Sequence, residues 1–260
     1  MIVERIWTGN AYRNYHYLVV CSESGEALAI DPMDHEKCLA AAKDKGWEIT
    51  QVLNTHEHGD HIAGNAQMIA ATGAKLLAHE NATSSIPDID IGLSAGDLVK
   101  VGTSVELLTL DTPGHTMSHL CVLSQTDEPV LFSGDTLFNA GVGNCHSGDP
   151  AILFETFATE ISVLADATKV YPGHDYFATN LEFTLSREPD NTAAKSMLGK
   201  VKDPKTAPVS TIADEKEVNT FLRLQSPSVI AGLREQFPDM PEDPDPKTVF
   251  LKLRELRNSW

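Results

Sequence analysis

Thr55-His56-Glu57-His58-Gly59-Asp60-His61 places four side chains able to bind a metal, His56, His58, Asp60 and His61, within six consecutive positions. Neither solvation nor core packing calls for that density. Ile49 to Asn54 upstream reads as a short buried strand and Ile62 to Ala71 downstream as a helix, so the candidates sit on a strand-to-helix loop. Where the chain is still extended, His56 and His58 are two apart and point to the same side, so they can share one ion. Gly59 is expected to free the backbone to turn, which would aim Asp60 and His61 at a second point a few ångströms away. Glu57 should point the opposite way and reads as structural or solvated.

Three later runs complete the pattern: Thr112-Pro113-Gly114-His115 with His119, Phe132-Ser133-Gly134-Asp135-Thr136-Leu137-Phe138, and Tyr171-Pro172-Gly173-His174-Asp175-Tyr176. With the first loop they resemble, in order, the signature of the metallo-β-lactamase superfamily. His119, the Gly-Asp-Thr-Leu-Phe run and the Pro-Gly-His-Asp-Tyr run are most similar to glyoxalase II, the hydroxyacylglutathione hydrolase family. The resemblance covers essentially the whole chain. It implies an α/β fold, the αββα sandwich, with a small C-terminal helical domain.

Carried over residue by residue, the resemblance assigns His56, His58 and His115 to one metal and Asp60, His61 and His174 to another, with Asp135 as the bridge. It implies two divalent ions per chain, zinc first, with iron or manganese also accepted by these ligands. Imidazole and carboxylate donors suit those ions, and the lack of cysteine among the seven points away from a closed structural zinc site. Two such ions, two carboxylates and a hydroxide leave a residual charge of about +1, suited to a developing oxyanion; a metal pair roughly 3.5–4 Å apart can both acidify a water and polarise a carbonyl. His119 matches the family but not as a ligand, and a supporting role is expected for it. Isolated histidines such as His16, His35 and His79 read as ordinary core or surface residues.

Composition bounds the class. A chain of 260 residues with 42% hydrophobic residues can build a proper core as one large or two small domains. A net charge of −17 argues against a nucleic-acid partner, because phosphate binding depends on clustered Lys and Arg. An anionic substrate would need a local basic patch. The start, MIVERIWTGN, lacks the basic and long apolar regions of a signal peptide, and no apolar run approaches a membrane span. Cys21, Cys38, Cys121 and Cys145 are widely spaced and read as reduced thiols. The expectation is a cytoplasmic protein with neither nucleic-acid nor membrane partner. Its oligomeric state is not written in these patterns.

Strand and helix alternate through the first part: strands at 14–21, 27–30, 49–54, 75–78, 98–101, 105–110, 120–123 and 130–132, with helices at 35–45 and 152–164. After Tyr176 the chain becomes helices punctuated by proline, at 181–187, 192–202, 226–236 and 247–257. We therefore expect a catalytic domain over residues 1–176 and a helical substrate-binding domain over 177–260.

The resemblance implies a thioester hydrolase that cleaves S-D-lactoylglutathione or a related 2-hydroxyacyl thioester, the methylglyoxal-detoxifying reaction. A thiol with a pKa of about 8.5 leaves readily, so the site needs little general-acid help. Asp60 is a candidate proton acceptor, with His56, His58 and Asp135 beside it. Two alternatives stand. One is a persulfide dioxygenase of the same superfamily, holding one iron through the counterparts of His56, His115 and Asp135; the other is a non-catalytic binding protein on this fold. For the substrate, the resemblance points to Tyr176 and to Arg254 with Arg257, three apart on one helix, as a basic pair for the glycine carboxylate of glutathione. The chain departs from the family where a basic and an aromatic residue are usual: it carries Asn144 and His146, which implies weaker glutathione binding.

Overall fold

In the computed structural model, which describes all 260 residues, period-two apolar runs build two facing sheets. The first contains β1 (Ile2–Trp7), β2 (Tyr15–Val20), β3 (Glu26–Ile30), β4 (Glu48–Leu53), β5 (Lys75–His79) and β6 (Ile91–Leu93), in that spatial order. Strands β1 to β3 are antiparallel, and β3 to β6 run parallel. Helices α1 (His35–Lys45), α2 (Gly59–Ile62) and α3 (Asn65–Thr72) lie in the crossovers that parallel pairing demands.

The second sheet has the order β13-β10-β9-β8-β7. Its strands are β7 (Leu98–Val101), β8 (Val105–Asp111), β9 (Leu120–Ser124), β10 (Val130–Gly134) and β13 (Lys169–Pro172). Between β10 and β13 come a hairpin of two-residue strands, β11 (Leu137–Phe138) and β12 (Gly141–Val142), and helix α4 (Pro150–Thr156), which continues as a π-helical turn over Phe157–Ile161. Helices α5 (Phe177–Arg187), α6 (Thr192–Leu198), α7 (Ile212–Val218), α8 (Pro227–Gln236) and α9 (Pro246–Asn258) complete the chain.

Strand β2 shows why the layers form. All six of its residues are buried; Tyr15, Tyr17 and Val19 face the second sheet, while Leu18 and Val20 face the packing of α1 and α3. A strand covered on both faces reads as a nearly continuous apolar run, and its one strongly polar side chain, His16, accepts from the Asp34 amide at 3.0 Å. On the other side, Val130 and Phe132 point between the sheets and Leu131 points outward, onto Phe183, Phe221 and Phe250 of the C-terminal region. Each such side chain contributes roughly 1.5–3 kcal/mol by leaving water. The result is αββα, and the core on the outer face of the second sheet runs unbroken across residue 176.

Several local readings change. The helix expected over 62–71 is two helices, because a Cβ at Gly64 would lie 2.1 Å from the Pro32 carbonyl oxygen and the chain must swing past that loop. The helix expected over 152–164 starts at Pro150, capped by Asp149, and leaves α geometry at Phe157. The helix expected to reach residue 202 ends at Leu198. Gly59 opens α2 without a left-handed backbone, and a Cβ there would meet nothing within 4 Å, so its conformational freedom is not what turns the loop. No helix is long and apolar enough to cross a membrane.

Candidate metal centre

The chain leaves β4, β8, β10 and β13 at one edge of the sandwich, and each exit delivers part of the expected set: residues 56–61, His115, Asp135 and His174. The seven converge. His58 Nδ1 lies 3.0 Å from both His56 Nε2 and His115 Nε2. His61 Nε2 and His174 Nε2 are 3.2 Å apart, with Asp60 Oδ2 at 3.7 and 3.4 Å from them. Asp135 faces both groups, Oδ2 at 3.5 Å from His115 Nε2 and 3.1 Å from His174 Nε2, and Oδ1 at 3.5 Å from His61 Nε2. Four donors around one ion at roughly 2.0–2.1 Å would be spaced about 3.3 Å apart in a tetrahedron. The observed spacings are of that size.

Outer hydrogen bonds settle which nitrogen is free. His115 Nδ1 donates to the Asn144 carbonyl and His174 Nδ1 to the Tyr12 carbonyl, both at 2.7 Å. His61 Nδ1 donates to Asp31 Oδ2 at 2.9 Å. The Thr55 hydroxyl gives its hydrogen to Asp31 at 2.7 Å, so at 3.0 Å it accepts from His56 Nδ1. His58 has its Nε2 on Ser147 Oγ at 2.7 Å. Carbonyls and carboxylates can only accept, so Nδ1 is the atom that keeps its hydrogen on the outside, and the inward atoms, Nε2 of His56, His61, His115 and His174, are the ones left to meet a cation. Asp135 Oδ1, buried with no hydrogen-bond donor, is a further unmet demand. The residues fit a metal centre, in three overlapping groups: His56, His58 and His115; His56, His61 and Asp135; Asp60, His61 and His174.

Electrostatics agree. Burial holds His56 well below the ordinary imidazole range, the state in which it is a ligand. At His61 burial acts the same way but is outweighed by Asp135 and Asp31, which push it up to about 9, so without a cation it holds a second proton, on Nε2, that a bound ion would replace. Burial would raise Asp135, yet His174 and His61 keep it well below the usual carboxylate range. Positive charge is drawn to the space between these groups.

His119 is not turned toward that space: its Nε2 accepts from the Asp135 amide at 3.0 Å and its Nδ1 meets Thr112 and Thr136 hydroxyls at 2.9 and 3.1 Å. Gly134 makes this possible with φ +46°, since a Cβ there would lie 2.6 Å from Thr55 Oγ1 and 2.7 Å from His119 Nε2. Glu57 points away and accepts from Thr116 at 3.0 Å. Four supporting residues were not anticipated from the sequence: Asp31, Tyr12 through its carbonyl, Ser147, and Asn14, whose side chain donates to Asp60 Oδ2 at 3.0 Å.

Beside the centre a recess of about 250 Å³ is bordered by Phe138, Asn144, His146, Tyr176, Arg254 and Arg257. The Tyr176 ring stacks on His174 at 5.0 Å, and burial pushes its hydroxyl up to about 12, so it stays a neutral donor. The expected basic pair is not a solvated face. Arg254 is only 4% exposed and its Nη1 donates to the Val142 and Gly143 carbonyls at 3.1 and 2.9 Å. Arg257 is the freer of the two, with one hydrogen bond, to Asn180 Oδ1 at 3.4 Å, and its guanidinium 5.4 Å from the Trp260 ring centre.

Residues 20–174 match the sequence model of the metallo-beta-lactamase superfamily, and residues 175–260 match that of the hydroxyacylglutathione hydrolase C-terminus. The chain is 65% identical to a hydroxyacylglutathione hydrolase of Polaromonas sp. and 61% identical to one of Nitrosococcus oceani, each over 100% of both chains. Among solved structures it is similar to ETHE1 from Myxococcus xanthus, with a TM-score of 0.68 at 24% identity over 100% of this chain and 99% of that one. It is also similar to the BLEG-1 B3 metallo-beta-lactamase, with a TM-score of 0.65 at 22% identity over 85% and 99%. Those two likenesses concern the fold. The full-length identities and the C-terminal match go further, and the chain belongs to the hydroxyacylglutathione hydrolase family of the metallo-beta-lactamase superfamily.

Proposed function

We propose that the protein hydrolyses 2-hydroxyacyl thioesters of glutathione, S-D-lactoylglutathione among them, with two divalent metal ions, zinc by preference, held by His56, His58, His115 and by Asp60, His61, His174, and bridged by Asp135. The observation that carries the metal reading is the set of inward imidazole nitrogens facing Asp135 with their outer nitrogens already committed. The family membership carries the substrate. When bound, such an ion pair acidifies a water and polarises a carbonyl. The chain's own residues do the rest. Asn14 holds Asp60 Oδ2 against the histidines, leaving Oδ1 to take the proton of the attacking water. Tyr176 and Arg257, with Asn144 and His146, frame the recess where the glutathione portion sits. The thiolate leaves unaided, its conjugate acid having a pKa of about 8.5.

In this reading residues 1–176 carry the chemistry, and 177–260 act as the substrate-binding region by bringing Arg254 and Arg257 to the recess. All four cysteines are free, three of them buried, which suits a reducing, cytoplasmic setting. The test is to follow thiol release from S-D-lactoylglutathione beside oxygen uptake with glutathione persulfide. Thiol release without oxygen uptake is expected. Oxygen uptake without thioester cleavage would replace this reading with the oxygenase one.

A further inference from the structure

Arg254 reaches the metal ligands through a loop. Its two carbonyl acceptors, Val142 and Gly143, immediately precede Asn144, whose own carbonyl takes the Nδ1 hydrogen of His115 at 2.7 Å. Three residues later Ser147 Oγ meets His58 Nε2 at 2.7 Å. Residues 142–147 thus provide the outer hydrogen bonds of two of the three histidines in one metal set.

The segment is tied to its surroundings by few main-chain bonds, among them the Gly143 amide donating to the Thr136 carbonyl at 3.3 Å. Its only ladder is the pairing of β11 with β12, two residues each. Yet it must be placed closely, because a Cβ at Gly143 would lie 2.0 Å from the Asp135 carbonyl oxygen and 2.9 Å from His115 Nδ1. Arg254 supplies the missing restraint. It is anchored on α9, a helix whose Val249, Phe250 and Leu253 are fully buried, its Nη2 donates to Asn258 at 3.0 Å, and its guanidinium lies 5.7 Å from the Phe221 ring centre. Both Nη1 hydrogens are given to main-chain carbonyls, while Nε is left without a partner and the side chain borders the recess, so the same guanidinium can hold the segment and still face a substrate carboxylate.

The geometry points to Arg254 as a positioning residue for the His56, His58 and His115 metal set: it clamps the segment whose Asn144 carbonyl and Ser147 hydroxyl orient His115 and His58. This rests on the metal reading above. The other set is held differently, by Asp31, Asn14 and the Tyr12 carbonyl, none of which touches α9. The helical C-terminal region therefore sets the geometry of one metal and not of the other.

The test is zinc titration of the metal-free full chain against a chromophoric chelator, with cobalt spectra as a second readout, in Arg254→Met, Arg254→Lys and Ser147→Ala. Arg254→Met keeps the apolar stem and removes the donors; one of the two zinc equivalents should weaken roughly 10- to 100-fold, the usual effect of losing outer-shell support. Arg254→Lys should restore part of that loss, and Ser147→Ala should weaken the same equivalent. A role limited to fold stability would lower the unfolding temperature and leave both equivalents alike. If both equivalents bind as in the parent and only KM rises, Arg254 is a substrate contact alone and the proposal falls. Should Arg254→Met fail to fold, the lysine and Ser147→Ala variants decide. A parent that takes up no zinc would instead refute the metal assignment beneath the proposal.

Discussion

Replacing Asp31 by Asn would reverse protons at the metal centre while leaving shape almost unchanged. Asp31 is buried, with φ +49°, a left-handed conformation that Asn tolerates, so the backbone need not move. Its Oδ1 accepts from the Thr55 amide at 2.8 Å, and that N–H has to keep an acceptor, so the amide oxygen stays there. The NH2 group then replaces Oδ2, facing His61 Nδ1 and Thr55 Oγ1. A donor now meets a donor. His61 must shift its proton to Nε2, the atom 3.2 Å from His174 Nε2, and so loses the lone pair intended for the metal. Thr55 can no longer give its hydrogen to residue 31, which disturbs the His56 tautomer as well. Loss of such support is worth roughly 10- to 100-fold in metal affinity, or about 1.4–2.7 kcal/mol. The assay is chelator competition near neutral pH, beside thermal unfolding of the metal-free forms. Weaker binding of the ion at Asp60, His61 and His174, with a smaller loss at the other through His56, and little change in metal-free stability are expected. A folded variant that holds both ions as tightly as the parent would refute the reasoning.

Other perturbations should read out separate parts of the account. Asp135→Ala removes the carboxylate shared by both groups and should cost metal as well as activity; retention of two ions per chain would show that it does not bridge. Asn144→Lys with His146→Tyr leaves the Asn144 carbonyl on His115 intact, so KM for S-D-lactoylglutathione should fall several-fold, about 1 kcal/mol, with kcat little changed; an unchanged KM would mean that glutathione does not pass these residues. Glu215 is buried among donors from Ser210, Asn219 and Ala140, and burial, only partly offset by them, pushes it from 4.5 up to about 7. The folded state then binds more protons than the unfolded one between those values, so stability should decline as pH rises from about 4.5 through 7 and level off above, by on the order of 3 kcal/mol. Glu215→Gln, neutral throughout, should flatten that decline in denaturant midpoints, and a decline that survives the substitution would assign it to another group.

What was legible in the sequence was what short, dense patterns carry. Four ligand candidates, His56, His58, Asp60 and His61, announce themselves because side chains at such close spacing on a loop have no cheaper explanation, whereas His115, Asp135 and His174 stand alone and are marked only by the family resemblance; β2, with no polar break after His16, could hardly be anything but a covered strand. What was not legible falls into kinds. The supports at Tyr12 and Asn144 are carbonyl oxygens, which every residue possesses, so no side-chain pattern can mark them. Asp31 is one carboxylate more than twenty residues upstream, joined to His61 only when β3 and β4 lie side by side. Strand β1 hides behind Glu4 and Arg5 because it is an edge strand with a partly wet face. Arg254 shows a further kind. Its spacing from Arg257 suggested a basic pair for a carboxylate, while its burial beside the stripe of Val249, Phe250 and Leu253 and its hold on the Val142 and Gly143 carbonyls depend on how α9 docks, which no spacing in the sequence marks.

The most direct measurement is hydrolysis of S-D-lactoylglutathione by the metal-free protein as zinc is returned in known equivalents, with bound metal determined on the same samples. Negligible turnover without metal, rising to a plateau as the second equivalent fills, is the predicted course. Full turnover in a sample shown to contain no metal would contradict the account.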